Sequence, residues 1–327
     1  MKAVVVPAAN ARWEVKEVPT PEPGPNQVLI RIKASGLCYT DVHITHGAIP
    51  TQFPRTLGHE PVGEIAGVGP GVTTRKVGDR VGVPWVQGSC GRCEWCLRGQ
   101  KMFCADSIGT GVDTQGSHAE YMLAWADATV LLPEGLSYEQ AAPIFCAGYT
   151  VYSGFRLAEP KPFDRVAVVG VGGLGHLGLQ YAKATGHHTT AVTHSKDKEK
   201  QLRELGADAV VADGAALKKA GGADVVLATS NSFDAVTDCI QALRPDGRVV
   251  LMGVDAKPLT VPTSIMWIRG RIIGSSQNDP AHLYEALQLV ASGKVKVVTE
   301  TYRLDEIGRA YDRVAEGKVR YRAVVVP

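Results

Sequence analysis

Over the first 150 residues, apolar and polar positions alternate in short runs, QVLIRIKASG, VGEIAGVG, DRVGVPW and AEYMLAWADATVLL, each bounded by Gly, Pro, Asn or Asp. A period of two between turn residues marks half-buried strands, so the pattern predicts a β-rich domain. The proline-dense PTPEPGPNQ, with Pro19, Pro21, Pro23 and Pro25, reads as a surface loop inside it, because strand-like sequence resumes at Val28. From about residue 151 the texture changes. Apolar runs (RVAVVGVG, TTAVTHS, ADVVLATS, RVVLMGV, RIIGSS) alternate with helical stretches (GHLGLQYAKATG, KDKEKQLRELGA, DAVTDCIQALRPDG). That alternation predicts successive βα units and a doubly wound parallel sheet, an α/β fold class. DPAHLYEALQLVASGKV reads as an amphipathic helix, and the tail returns to strand, helix, strand. The closing strand is expected to find antiparallel partners in the first domain. The predicted organisation is therefore a β-rich domain from 1–150 and 283–327, with an α/β domain over 151–282 between them.

Composition narrows the function classes. The chain has 327 residues, a length at which one core tends to split in two. Its 35 basic and 33 acidic side chains leave a net charge of +2. So balanced a surface offers no field for a polyphosphate or an anionic bilayer, and neither nucleic acid nor membrane is expected as a partner. No apolar run reaches the length of a membrane span. The opening MKAVVVPAANARWE, broken at Pro7 and charged at Arg12 and Glu14, does not read as a signal peptide, so a cytoplasmic location is expected. In a reducing compartment clustered cysteines more often bind metal than pair. Of the seven cysteines, Cys90, Cys93, Cys96 and Cys104 fall within fifteen residues.

Two local motifs carry chemistry. Gly170-Val171-Gly172-Gly173-Leu174-Gly175 satisfies G-x-G-x-x-G between a predicted strand and a predicted helix. In that context Gly170 makes the tight turn, Gly172 lets backbone approach a pyrophosphate, and Gly175 allows close helix packing; the alternative is a merely structural βα turn. A carboxylate at the end of the second strand would bind the adenosine ribose. Here the strand ends Thr193-His194-Ser195-Lys196, with no acid before Asp197. The missing charge, with hydroxyls and Lys196 or Lys198 nearby, favours NADP over NAD, against the alternative of a solvated loop. The second motif, Cys90-x-x-Cys93-x-x-Cys96-x7-Cys104, supplies four thiolates to one tetrahedral, closed shell. Structural zinc is the expectation, with an iron–sulfur cluster as competitor and chance clustering of free thiols as the bland reading.

Three further fragments, GLCYTDVH (36–43), GHEPVG (58–63) and PIFCAGYT (143–150), have no diagnostic spacing of their own. In type and order, with the motifs above, they resemble the zinc-dependent alcohol dehydrogenases of the medium-chain dehydrogenase/reductase superfamily, over essentially the whole chain. That resemblance implies a GroES-like catalytic domain joined to a Rossmann-type dinucleotide domain, with the active site in the cleft. It makes Cys38, His59 and Cys146 ligands of a catalytic zinc whose fourth position is open to substrate oxygen or water. Two zinc ions per chain follow, one catalytic and one structural. It further implies Asp41 as the carboxylate holding His59, and Glu60 as the acid behind the metal. Thr40 becomes the hydroxyl touching the substrate oxygen, His43 the end of a proton relay, and Thr150 a residue packing near the nicotinamide.

The sequence also departs from its relatives. Tyr39 stands where several place a pyrophosphate-facing His or Arg, whereas Arg322 resembles another pyrophosphate-facing arginine. Ile49 replaces an aromatic pocket residue, while Trp85 keeps an aromatic on the opposite wall, so substrates larger than ethanol are expected, including medium-chain or aromatic primary alcohols. His46 and Cys239 carry no expected role. The reading is interconversion of primary or secondary alcohols with aldehydes or ketones by hydride transfer, in a homodimer or homotetramer. RIIGSS and VPTSIMWI are candidate interface segments, or else interior ones. A polyol or sugar dehydrogenase and a zinc-free quinone or enoyl reductase are the alternatives on the same fold. From another class, a non-catalytic dinucleotide-binding redox sensor or structural protein is the alternative.

Overall fold

The computed structural model describes residues 1–327, apart from the side chain of Lys196. The chain forms two units, Met1–Cys146 with Val297–Pro327, and Ala147–Lys296. The second unit runs through the helix Pro280–Ala291, which packs on Ala147–Leu157, as far as Lys296, whereas the boundary expected at 282/283 falls inside that helix. No helix among the described residues is long and apolar enough to cross a membrane.

The first unit is built on the long strand Gln27–Leu37. It pairs antiparallel with Glu60–Val68, with Tyr121–Trp125 and, at its far end, with the closing strand Arg322–Val326. The predicted strands are all present. Their alternation buries Val28, Ile30, Ile32, Ile65, Val81 and Met122 in one cluster. A second cluster gathers Val4, Trp13, Leu37, Ile44 and Leu57 from the front of the chain with Tyr302, Ile307, Ala323 and Val325 from its end. Closing the sheet with the C-terminal strand is what brings Arg322 to the site described below.

Pairing of Gly36 with Glu60 across the two central strands sets a tight tolerance. A Cβ at Gly36 would lie 1.8 Å from the Glu60 carboxylate, so glycine is the only residue that leaves room for that acid. Gly36→Ala is expected to lower stability by about 1–3 kcal/mol, the usual cost of overpacking, read as a lower denaturant midpoint at unchanged slope.

In the second unit six parallel strands lie in the order Ala209–Val211, His188–Val192, Arg165–Val169, Ala223–Ala228, Leu243–Leu251, Arg271–Gly274. Numbered along the unit, that is 3-2-1-4-5-6, the doubly wound order whose reversal lies beside the first strand. Val166, Val168, Val225, Val226, Val249 and Val250 are buried almost completely, as expected of strands covered on both faces. Three elements were not apparent from the pattern. Ala209–Val211 and Gly214–Lys219 are too short for a period to show, and Ala147–Leu157 is apolar on nearly every side because most of it is buried.

Candidate functional site

Two groups of cysteine and histidine converge in the first unit. In one, single ligand atoms of Cys90, Cys93, Cys96 and Cys104 all lie within 4.8 Å of one another, and the Cys90 and Cys96 sulfurs are 3.9 Å apart. With a Zn–S bond of about 2.3 Å, the edge of a tetrahedral thiolate shell is about 3.8 Å, so the set encloses one ion. The Cys93 backbone N–H donates to the Cys90 sulfur at 3.4 Å. Backbone donors from Arg92 and Cys93 pull the Cys90 thiol down to about 6, into the range where it serves as a thiolate ligand. The lobe between these cysteines consists of the short turns Glu94–Leu97 and Lys101–Phe103, with none of their residues buried. An apolar core does not account for its shape.

The other group is assembled from distant chain segments. Cys38 follows the long strand, His59 precedes Glu60–Val68, and Cys146 ends the first segment of the first unit; their ligand atoms and a Glu60 oxygen also lie within 4.8 Å of one another. The Cys38 and Cys146 sulfurs are again 3.9 Å apart. His59 is 1% exposed, and its Nε2 has no hydrogen-bond partner among the described residues. A buried, unpaired imidazole nitrogen beside two thiols is costly unless a cation takes it, so the donor set fits a metal ion.

Local structure explains how the group is held. Cys38 caps the helix Tyr39–Thr45, and Asp41 accepts the Cys38 N–H at 2.9 Å, half of a capping box. The same buried carboxylate accepts from the Gly58 N–H at 3.3 Å and lies 3.4 Å from His59 Nδ1. One acid thus ends the helix, fixes the loop before His59 and orients its ring. Behind the group, Arg322 pairs with Glu60, both nearly inaccessible. Arg322 Nη2 donates to Glu60, supplying the counter-charge that a buried carboxylate requires.

The charge states reflect crowding of anionic groups. Cys38 is drawn well below the usual thiol range by Cys146, with His59 and Arg322 also offsetting the effect of burial. Cys146 is pushed well above it by the neighbouring Cys38 and by burial. Burial raises Glu60 to about 7 against the pull of Arg322. Burial also opposes charge on Asp41 and His59, yet their mutual attraction holds the first low and the second high. Thiols that cannot both ionise in such a space are relieved by a dication.

The remaining expected residues are placed as follows. The Thr40 hydroxyl is 3.5 Å from the Cys38 sulfur. His43 is half-buried, its ring edge-on to the exposed Tyr39 at 5.0 Å between centroids. Trp85 meets His59 edge-on at 5.2 Å, and Ile49 and Trp85 pack against one apolar cluster. His46 is exposed, 3.3 Å from the Tyr311 hydroxyl, and Cys239 is a buried helical thiol. A residue without a legible sequence signal is His118, fully buried with Nε2 3.9 Å from the Asp41 carboxylate.

In the second unit the glycine turn is packed tightly at two of its positions. Gly170 has φ +86°, and a Cβ there would strike Ser230 at 2.6 Å. A Cβ on Gly175 would lie 2.4 Å from the Gly170 carbonyl oxygen. Gly172 is exposed, and nothing lies within 4 Å of where its Cβ would be. Packing within the protein does not require glycine there. Gly173 and Leu174 are half-buried beside it, ahead of the helix Gly175–Ala184 whose N-terminus faces the turn. Past the second strand, Thr193 accepts the Ser195 N–H at 3.2 Å; His194 is exposed, and Ser195 and Lys198 are half-buried. The side chain of Lys196 lies outside the described residues. Thr150 is half-buried on Ala147–Leu157.

Residues 24–134 match the model of the alcohol dehydrogenase GroES-like domain, and residues 173–292 that of the zinc-binding dehydrogenases. An alcohol dehydrogenase of Geobacillus stearothermophilus is 42% identical, covering 99% of both chains. Cinnamyl alcohol dehydrogenase 5 of Arabidopsis thaliana is 36% identical over 93% of this chain and 89% of its own. The structure of the alcohol dehydrogenase of Aeropyrum pernix aligns over 100% of both chains with a TM-score of 0.90 at 31% identity. The chain belongs to the zinc-type alcohol dehydrogenases of the medium-chain dehydrogenase/reductase superfamily.

Proposed function

We propose that the protein interconverts primary or secondary alcohols with aldehydes or ketones, using zinc at Cys38, His59 and Cys146 and NADP in preference to NAD. The convergence of those three ligands beside the Thr40 hydroxyl carries the reading. When bound, zinc supplies an electrophile for the substrate oxygen, and the dinucleotide supplies the hydride donor or acceptor. The chain's own residues do the rest. Thr40 takes the hydroxyl proton of the alcohol, and His43 passes it towards solvent. Asp41 holds the His59 ring in place, and Glu60 with Arg322 forms a neutral, water-excluding floor. A second zinc in the four-cysteine lobe holds that lobe's shape. Ile49 and Trp85 support acceptance of medium-chain or aromatic primary alcohols.

The preference for NADP rests on the absence of a carboxylate after the second strand of the parallel sheet. Thr193→Asp restores that charge and is expected to shift the ratio of kcat/KM values towards NAD by at least about tenfold. An unchanged ratio would place the 2′-phosphate elsewhere. Activity over a panel of alcohols, aldehydes and ketones with each dinucleotide tests the whole reading.

Self-association is part of the proposal. The edge strand Arg271–Gly274 is preceded by Met266 and Trp267, which are 68% and 84% exposed. An unpaired edge beside exposed apolar side chains supports joining of two sheets in a homodimer, or in a homotetramer built from it.

A further inference from the structure

The first unit contains a buried polar group that the zinc reading leaves unused. Ser35, on the long strand, and Ser117 and His118, in the segment ahead of the strand Tyr121–Trp125, are each fully buried. The Ser35 and Ser117 hydroxyl oxygens are 2.6 Å apart, and the Ser35 oxygen is 2.9 Å from His118 Nδ1. His118 Nε2 has no hydrogen-bond partner, and the nearest acid is Asp41, 3.9 Å away. The rest of the ring packs on Trp13, with centroids 5.6 Å apart.

Three polar side chains without solvent are costly to bury unless their directions are used. Backbone packing fixes those directions. Gly58, with φ +102°, lies so close that a Cβ would sit 2.8 Å from both the His118 backbone nitrogen and the Ser117 hydroxyl. The Ser117 and His118 N–H groups donate to the Gly58 and Leu57 carbonyls, at 3.0 Å each. The loop that delivers His59 is therefore clamped to the segment that delivers His118.

We propose that His118 is a positioning residue for the metal centre: its Nδ1 accepts from Ser35, which leaves the proton on Nε2, directed at Asp41, and so holds the carboxylate that orients His59. Asp41 already accepts from the Cys38 and Gly58 N–H groups and faces His59. On the Oδ2 side, at 3.9 Å, the His118 Nε2–H is beyond hydrogen-bond length and acts on the acid as an oriented dipole, favouring the carboxylate position that faces the imidazole. This role rests on the reading of Cys38, His59 and Cys146 as zinc ligands.

The test compares the intact enzyme with His118→Phe, which keeps the contact with Trp13 but has no donor, and His118→Gln, which returns an N–H near the position of Nε2. Zinc release to a chromogenic chelator is followed alongside loss of turnover. The zinc whose loss tracks turnover is expected to leave about tenfold faster in His118→Phe, to return close to the parent rate in His118→Gln, and the other zinc to be unaffected. In Ser35→Ala, which removes only a hydroxyl, that same zinc is expected to leave faster by a smaller factor, so a His118→Phe protein that fails to fold does not end the test. Equal release from the parent and both donor-disrupting variants, or equal acceleration of both zinc ions, would overturn the proposal. A parent protein whose turnover does not follow zinc would instead overturn the reading on which it rests.

Discussion

Cys38→Ala is expected to lower turnover by at least about a thousandfold while leaving dinucleotide affinity within about threefold of the parent, the first figure corresponding to about 4 kcal/mol of lost transition-state stabilisation. The sulfur lost is one of the three protein ligands of the proposed zinc, it lies 3.9 Å from the Cys146 sulfur, and the Thr40 hydroxyl sits 3.5 Å from it. Two ligands hold zinc poorly, and the group placed to take the proton loses its neighbour. Dinucleotide affinity is expected to survive because the glycine turn belongs to the other unit and is shaped by its own contacts, Gly170 against Ser230 and Gly175 against Gly170. Steady-state rates together with dinucleotide fluorescence titration check both halves. Near-parent turnover in a protein shown to lack one zinc would refute the assignment of Cys38.

Cys93→Ser is expected to remove the other zinc and to shorten the half-life of activity at elevated temperature at least about tenfold, with the initial rate retained. The lobe spanning Cys90–Cys104 has two short helical turns, none of whose residues is buried, and it exposes Leu97 and Phe103. An entropy cost of about 1–2 kcal/mol per ordered residue has no hydrophobic burial to offset it there, so the ion must. Metal analysis should give one zinc per chain, and limited proteolysis should cut first within the lobe. Retention of two zinc ions, or a half-life equal to the parent's, would contradict a structural site.

How much of this was legible in the sequence depended on whether a feature is local. The glycine turn and the four-cysteine lobe are continuous segments, so spacing alone announces them. Strand and helix periods showed the parallel sheet except where elements shrink to three residues, as at Ala209–Val211. Cys38, His59 and Cys146 are separated by long stretches and meet only through strand pairing, so only a family resemblance could group them. The pairing of Arg322 with Glu60 is a consequence of the register of the closing strand, which no single-sequence pattern carries. His118 lay beyond reach for the same reason. Its role depends on the close approach of Gly58 and on the Ser35 hydroxyl, both products of tertiary packing.

The most direct test of the central claim follows alcohol-dependent reduction of NADP, before and after chelation, in protein with measured zinc content. The account predicts that turnover disappears as the zinc bound by Cys38, His59 and Cys146 is withdrawn, while the lobe zinc remains, and that it returns when zinc is restored. Undiminished turnover in protein depleted of that zinc, or no reduction of either dinucleotide by any alcohol with both sites filled, would contradict it.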